Sequence, residues 1–173
     1  MTEVFRWLIV AGQLRDYLLS PAGLIAVLIP GTASIVILAM YARAHRISAR
    51  LQLLWIASLP IAIACSRWTH VGDLHQLCIF SAFSVASLLV LFKRMYIAPP
   101  LIYAMTFMSL GTVDVAAAFS HALEYDLPLS TFYYGVGGAG VGDALFIVPL
   151  LTAALAMYAT ARLKTTRALL SEF

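Results

Sequence analysis

Residues 99–123, PPLIYAMTFMSLGTVDVAAAFSHAL, contain no lysine or arginine and a single acid, Asp114. The hydrocarbon core of a bilayer, ~30 Å thick, is crossed by about 20 apolar residues in helical form. The stretch 101–123 therefore reads as a transmembrane helix, with Pro99-Pro100 restarting the chain ahead of it. Upstream, Ser20-Pro21 reads as an N-cap followed by proline at the first helical position, and it opens a second apolar run over 21–41. The short basic loop RAHRISAR (43–50) leads into 51–66, where Pro60 is expected to kink the helix. A polar link, Arg67 to His75, precedes a span at 74–92 that stops at Lys93-Arg94, and a fifth span runs over 131–160. The opening stretch Val4 to Leu14 is too short and too interrupted to cross, so an interfacial helix is expected there.

The composition agrees with this pattern. Of 173 residues, 62% are hydrophobic and 11% are charged, against roughly 45–50% and about a quarter in soluble domains. Mean hydropathy is +0.93. The expected fold is all-α: a polytopic membrane helical bundle of five transmembrane helices plus an N-terminal interfacial helix. It forms a single integral membrane domain over 1–173, and the count becomes six if the first segment inserts. Glu3, Arg6, Gln13, Arg15 and Asp16 interrupt the N-terminal segment, which does not read as a cleaved signal peptide.

The net charge of +3 comes from eleven Lys and Arg against eight Asp and Glu. These cations lie at span ends rather than on one face, so nucleic acid is not an expected partner. They set orientation instead, because basic residues favour the cytoplasmic side. The loop after the first span, the loop after the third and the C-terminal tail carry three, two and three, and the other ends together carry three. The C-terminus is thus expected in the cytoplasm, with the protein in a bacterial inner or plasma membrane. Trp7, Trp55, Trp68, Tyr96, Tyr133 and Tyr134 fall near span ends, where aromatic anchors belong. An oligomer is compatible with the pattern.

Once the charges at span ends are set aside, two acids remain inside the spans. An acid in hydrocarbon costs on the order of 2.5 kcal/mol or more, so each one needs a reason. Asp114 and Asp143 are equidistant from the turn at Leu127-Pro128-Leu129-Ser130, and in an antiparallel hairpin that places them at one depth. At 1.5 Å per residue both fall roughly 15–20 Å below the outer mouth, near the midplane. Two close carboxylates in low dielectric do not both ionise easily and tend to share one proton. Such a pair can activate water with one member and protonate a carbonyl with the other. It can also bind a proton or a cation, or act as polar glue between helices. Sequence leaves these roles open, because it fixes height and not helix rotation.

Gly140-Val141-Gly142-Asp143 is a Gly-x-Gly-Asp motif, and Phe146-Ile147-Val148-Pro149 follows it. Over about 112–150 this resembles the Gly-x-Gly-Asp intramembrane aspartyl proteases, the family of presenilin and signal peptide peptidase and, more distantly, the prepilin peptidases. The resemblance implies that Asp143 and Asp114 are a catalytic pair acting on single-span substrates, with Gly140 and Gly142 admitting a substrate backbone. The same glycines also read as a packing face. Gly138 and Gly142 form GxxxG, and Gly135 with Ala139 repeats the spacing, which suits close approach of another membrane helix. A non-enzymatic membrane component, either an ion-coupled subunit or a helix-binding partner protein, is the alternative.

A second group of polar residues lies on the outward side. His70, Asp73 and His75 sit in the second link, while His121, Glu124 and Asp126 sit at the end of the fourth span. His121 and Glu124 are spaced i, i+3 and share a helix face. His70, His75, His121 and Glu124 could hold a divalent metal, which would make a metal-dependent membrane hydrolase a further alternative. Otherwise no cofactor is expected. They read equally well as solvated interfacial residues, as does His45 in the basic loop. All four histidines lie near span ends, which disfavours haem between helices. Cys65 and Cys78 bracket the same link, either as a disulfide or as two buried thiols. The chain carries no CxxC, Walker loop, Gly-x-Ser-x-Gly or HExxH.

Overall fold

A computed structural model describes residues 14–44, 46–65, 68–71, 74–77, 97–124, 136 and 144–170. The described residues are mainly helical, with one small antiparallel hairpin. A helical turn at 14–18 leads to Ser20, whose hydroxyl accepts from the Gly23 amide at 3.2 Å, so the expected cap with Pro21 behind it is formed. Helix α1 then runs Pro21–Arg43, helix α2 spans Ala49–Cys65, and α3 spans Pro99–Glu124. Helix α4 is described over Ala144–Leu170. Strands β1 (Trp68–Val71) and β2 (Leu74–Leu77) pair antiparallel between α2 and α3.

Within α1, Leu24–Leu28 is a π-helical turn in which the Ile29 amide donates to the Leu24 carbonyl. Pro30 explains it: proline has no amide to give to the residue four back, and its ring crowds that carbonyl. Widening the preceding turn relieves both problems. Helix α2 continues through Pro60, and α4 continues through Pro149.

Helix α3 is the centre of the bundle and packs against α1, α2, α4 and β1. Its most apolar stretch is 67% buried, against 22% for that of α1. Toward its start, Leu101, Ile102 and Met105 pack with Leu51 of α2 and with Leu38 and Tyr41 of α1. Further along, Phe107, Leu110 and Ala118 pack with Leu145 of α4, Val136 and Val27 of α1. Helix α1 is therefore antiparallel to α3, and α2 runs parallel to it. The link between α2 and α3 is a hydrogen bond of 2.7 Å from Trp55 Nε1 to Ser109 Oγ, whose own hydroxyl donates to the Met105 carbonyl at 2.8 Å.

Helices α1 (over Pro21–Arg43) and α3 (over Pro99–Ser120) are long and apolar enough to cross a membrane, while Ala49–Ala64 and Ala144–Tyr158 are shorter apolar helices. Two expectations are revised. The span expected over 74–92 does not start at 74, because Leu74–Leu77 is strand β2; 78–92 lies outside the described residues. Trp68-Thr69-His70-Val71 and Leu74-His75-Gln76-Leu77 alternate in character, and that period suits a pleated strand rather than a helix. The span expected over 131–160 is not one continuous helix, because Val136 lies in a turn. Five glycines between 135 and 142, each costing about 1 kcal/mol in a helix relative to alanine, account for the interruption. Of the N-terminal segment 4–14, only Leu14 is described.

Candidate functional site

Asp114 is 4% exposed. It lies on α3 with Phe107, Leu110, Gly111 and Ala118 at the i, i+3, i+4, i+7 and i+11 positions of one stripe. Phe107, Leu110 and Ala118 of that stripe pack with Leu145 of α4 and Val136. Asp114 thus shares the inward stripe that α3 turns to the described start of α4.

Height follows from the pairing of α3 with α4. Thr152 Oγ1 lies 3.4 Å from Thr106 Oγ1, and a Cβ on Gly111 would stand 3.9 Å from Leu145 Cδ2. Level residues on the two helices therefore have numbers adding to about 257, which sets Ala144 level with 112–114. Thr152 also donates to the Pro149 carbonyl at 2.9 Å, satisfying its hydroxyl within α4. Asp143 precedes Ala144 in the chain and lies outside the described residues, as do Gly135, Gly138, Ala139, Gly140 and Gly142.

Close beside this stripe, the Tyr17 hydroxyl donates to the Val136 carbonyl. Val136 is thereby held to the turn ahead of α1. Sequence reading passed over Tyr17, and its position just before the capped helix was the available signal. Trp55, which by sequence reads as a membrane anchor, is half-buried and bonded to Ser109. An apolar groove lined by Val27, Phe107, Gly111, Val115, Val136 and Leu145 flanks the same stretch of α3.

On the hairpin, His70 stands directly opposite His75 in the strand register. His121 and Glu124 occupy the last turn of α3, and Cys65 is the last residue of α2. Cys78, Asp73 and Asp126 lie outside the described residues. Among the described residues, no group of three or more His, Cys, Asp and Glu is gathered as a metal site.

Comparison of the chain with known protein families, with curated proteins and with solved structures gives no match. A carboxyl group placed like that of Asp114 can hold and release a proton, take a cation, or accept from a donor on a neighbouring helix.

Proposed function

We propose that the chain is an integral membrane protein, a polytopic helical bundle with a cytoplasmic C-terminus. In this reading it works as a non-enzymatic membrane component in which Asp114 is a proton- or ion-linked site at the contact between α3 and α4. The observation that carries the reading is the burial of this one acid on the inward stripe of a helix long and apolar enough to span a bilayer. The bundle's exterior supports the membrane setting, since Ile29, Met40, Leu53, Ile61 and Leu155 are all exposed. Soluble monomers rarely show contiguous apolar patches beyond a few hundred Å².

A paired-aspartate protease is the second reading, favoured by the α3–α4 register, which sets Ala144 level with 112–114. It carries one added requirement. On α4 the residues turned to α3 are Leu145, Val148, Pro149 and Thr152, while Ile147, Leu150 and Ala154 are exposed. An unbroken helical phase, extended back one residue, would put position 143 in line with 147, 150 and 154, away from Asp114. Catalysis by a pair thus requires the glycine run to take the chain out of that phase.

Asp114→Asn and Asp143→Asn variants separate the two. The proposed function predicts that wild type cleaves no single-span substrate and that Asp114→Asn alone abolishes proton-linked flux in vesicles, while both variants fold. Cleavage by wild type that is lost in both variants would establish the protease reading instead. Loss of expression or assembly in both would make the acids structural glue.

A further inference from the structure

The end of the bundle where α1 passes into α2 carries chemistry that Asp114 does not use. Between the two helices, over Met105 of α3, lies a groove of about 350 Å³ walled by Leu38, Ala39 and Ala42 of α1 and by Trp55 and Ile56 of α2. Ligand sites run from about 300 to 1,000 Å³. This one opens outward, since Ala39, Ala42 and Ile56 are exposed. Its lining is apolar except for Gln52, which lies one turn from Trp55 and Ile56 toward the loop.

The loop at the mouth of the groove is short and pinned. The Arg46 amide donates to the Tyr41 carbonyl at 3.0 Å, and Ser48 Oγ caps α2 by accepting from the Leu51 amide at 3.2 Å. Arg43 is the last residue of α1, one turn beyond Ala39 on the same stripe, and Arg46 directly precedes Ile47, which also lines the groove. Both arginines are exposed, and among the described residues neither forms an ion pair. The approach of Gly31 to Phe107 gives α1 and α3 a register in which level residues have numbers adding to about 138. Asp114 is thus level with position 24, roughly 30 Å along α1 from Arg43 at 1.5 Å per residue. Asp16 and Glu124 lie farther still in the same direction, so among the described residues no acid stands at the loop end. An apolar slot between helices with two uncompensated guanidinium groups at its mouth is complementary to an amphiphile that joins hydrocarbon to an anion.

We propose that the groove holds an acyl chain of one anionic glycerophospholipid, whose headgroup phosphate is taken by Arg43 and Arg46. Guanidinium groups match phosphate oxygens bidentately, and basic pockets between membrane helices on the cytoplasmic side select anionic headgroups. Gln52 adds an uncharged donor between the chain and the headgroup. The site rests on the membrane setting proposed above but on no role for Asp114.

The test reads Trp55, which lines the groove, as the single tryptophan of the full chain carrying Trp7→Phe/Trp68→Phe, reconstituted in phosphatidylcholine vesicles. Quenching by dibrominated phosphatidylglycerol is compared with quenching by dibrominated phosphatidylcholine. The expected result is a binding constant at Trp55 at least about fivefold higher for the anionic lipid. That preference is expected to fall below about twofold in Arg43→Gln/Arg46→Gln, and also in Ala39→Phe, which fills the groove without changing charge. Arg50 is at the same end but two residues from Gln52, and so on another face of α2; Arg50→Gln is expected to keep most of the preference. Equal quenching by the two lipids overturns the proposal and leaves the membrane setting in place. A preference untouched by Ala39→Phe, or lost as fully in Arg50→Gln as in Arg43→Gln/Arg46→Gln, reduces the effect to general surface charge and overturns it too. Trp55 quenched by neither lipid, in protein that floats with the vesicles, would put a protein surface over the groove and likewise overturn it. Protein that does not float with the vesicles would remove the membrane setting itself, and the site with it.

Discussion

Ser34 is fully buried on α1, and among the described residues its hydroxyl has no hydrogen-bond partner. The antiparallel register that sets Gly31 against Phe107 brings Ser34 level with Ala104, which is just as enclosed. A small side chain is what this crossing needs, and the hydroxyl contributes nothing to it. Ser34→Ala is therefore expected to raise stability by about 1 kcal/mol, and Ser34→Leu to lower it by about 1–3 kcal/mol through overpacking. Unfolding in detergent followed by circular dichroism reads both. Trp55→Phe keeps most of the ring but removes the donor to Ser109, at an expected cost of about 1 kcal/mol. Asp114 was legible at this scale, because it is one of two acids within apolar runs. Its rotation was not, since inward and outward faces of α3 are both rich in Ala, Val and Phe and only packing separates buried Val113 from exposed Val115.

At the scale of elements, the junction between the 14–18 turn and α1 depends on Gly23. A Cβ there would overlap the Tyr17 carbonyl oxygen and come within 3.0 Å of the Leu18 Cα, and both are backbone atoms with little room to yield. Gly23→Ala is expected to cost about 2 kcal/mol or more and to loosen the Tyr17–Val136 bond. The pairing of α3 with α4 invites a cross-link. In a Cys65→Ser/Cys78→Ser background, Thr106→Cys/Thr152→Cys should oxidise readily, because the two hydroxyl oxygens are 3.4 Å apart and a disulfide wants Cβ atoms about 3.5–4.5 Å apart. Thr106→Cys/Ala154→Cys, with 154 on the exposed face, should not; mass spectrometry of the digested protein distinguishes them. Helices α1 and α3 are readable because each is a run of more than 20 residues with at most two charged groups and a proline at its start. Strand β2 is hidden in the sequence, because Leu74 to Leu77 abuts a long apolar run and reads as its beginning. The break before α4 was hidden in the same way: small glycines keep hydropathy high while removing the local preference for helix.

For the whole molecule, α3 is wrapped by its neighbours while the outer faces of α1, α2 and α4 carry long aliphatic side chains: Ile35 is 60% exposed, Ile61 67% and Leu155 61%. Such faces in water would drive association, whereas in a bilayer they are satisfied by lipid tails. The hydroxyls of Thr32, Ser58, Thr112 and Thr160 donate to carbonyls three or four residues back in their own helices, which satisfies them without water. Nitroxide labels at Ile35, Ile61 and Leu155, placed one at a time on the cysteine-free chain in reconstituted bilayers, test the membrane setting through collision rates with oxygen and with a water-soluble nickel chelate. High oxygen and low nickel accessibility at all three positions is the expected result. Nickel accessibility at these positions equal to that of a label at exposed Arg46 in the loop before α2 would contradict a membrane-embedded bundle.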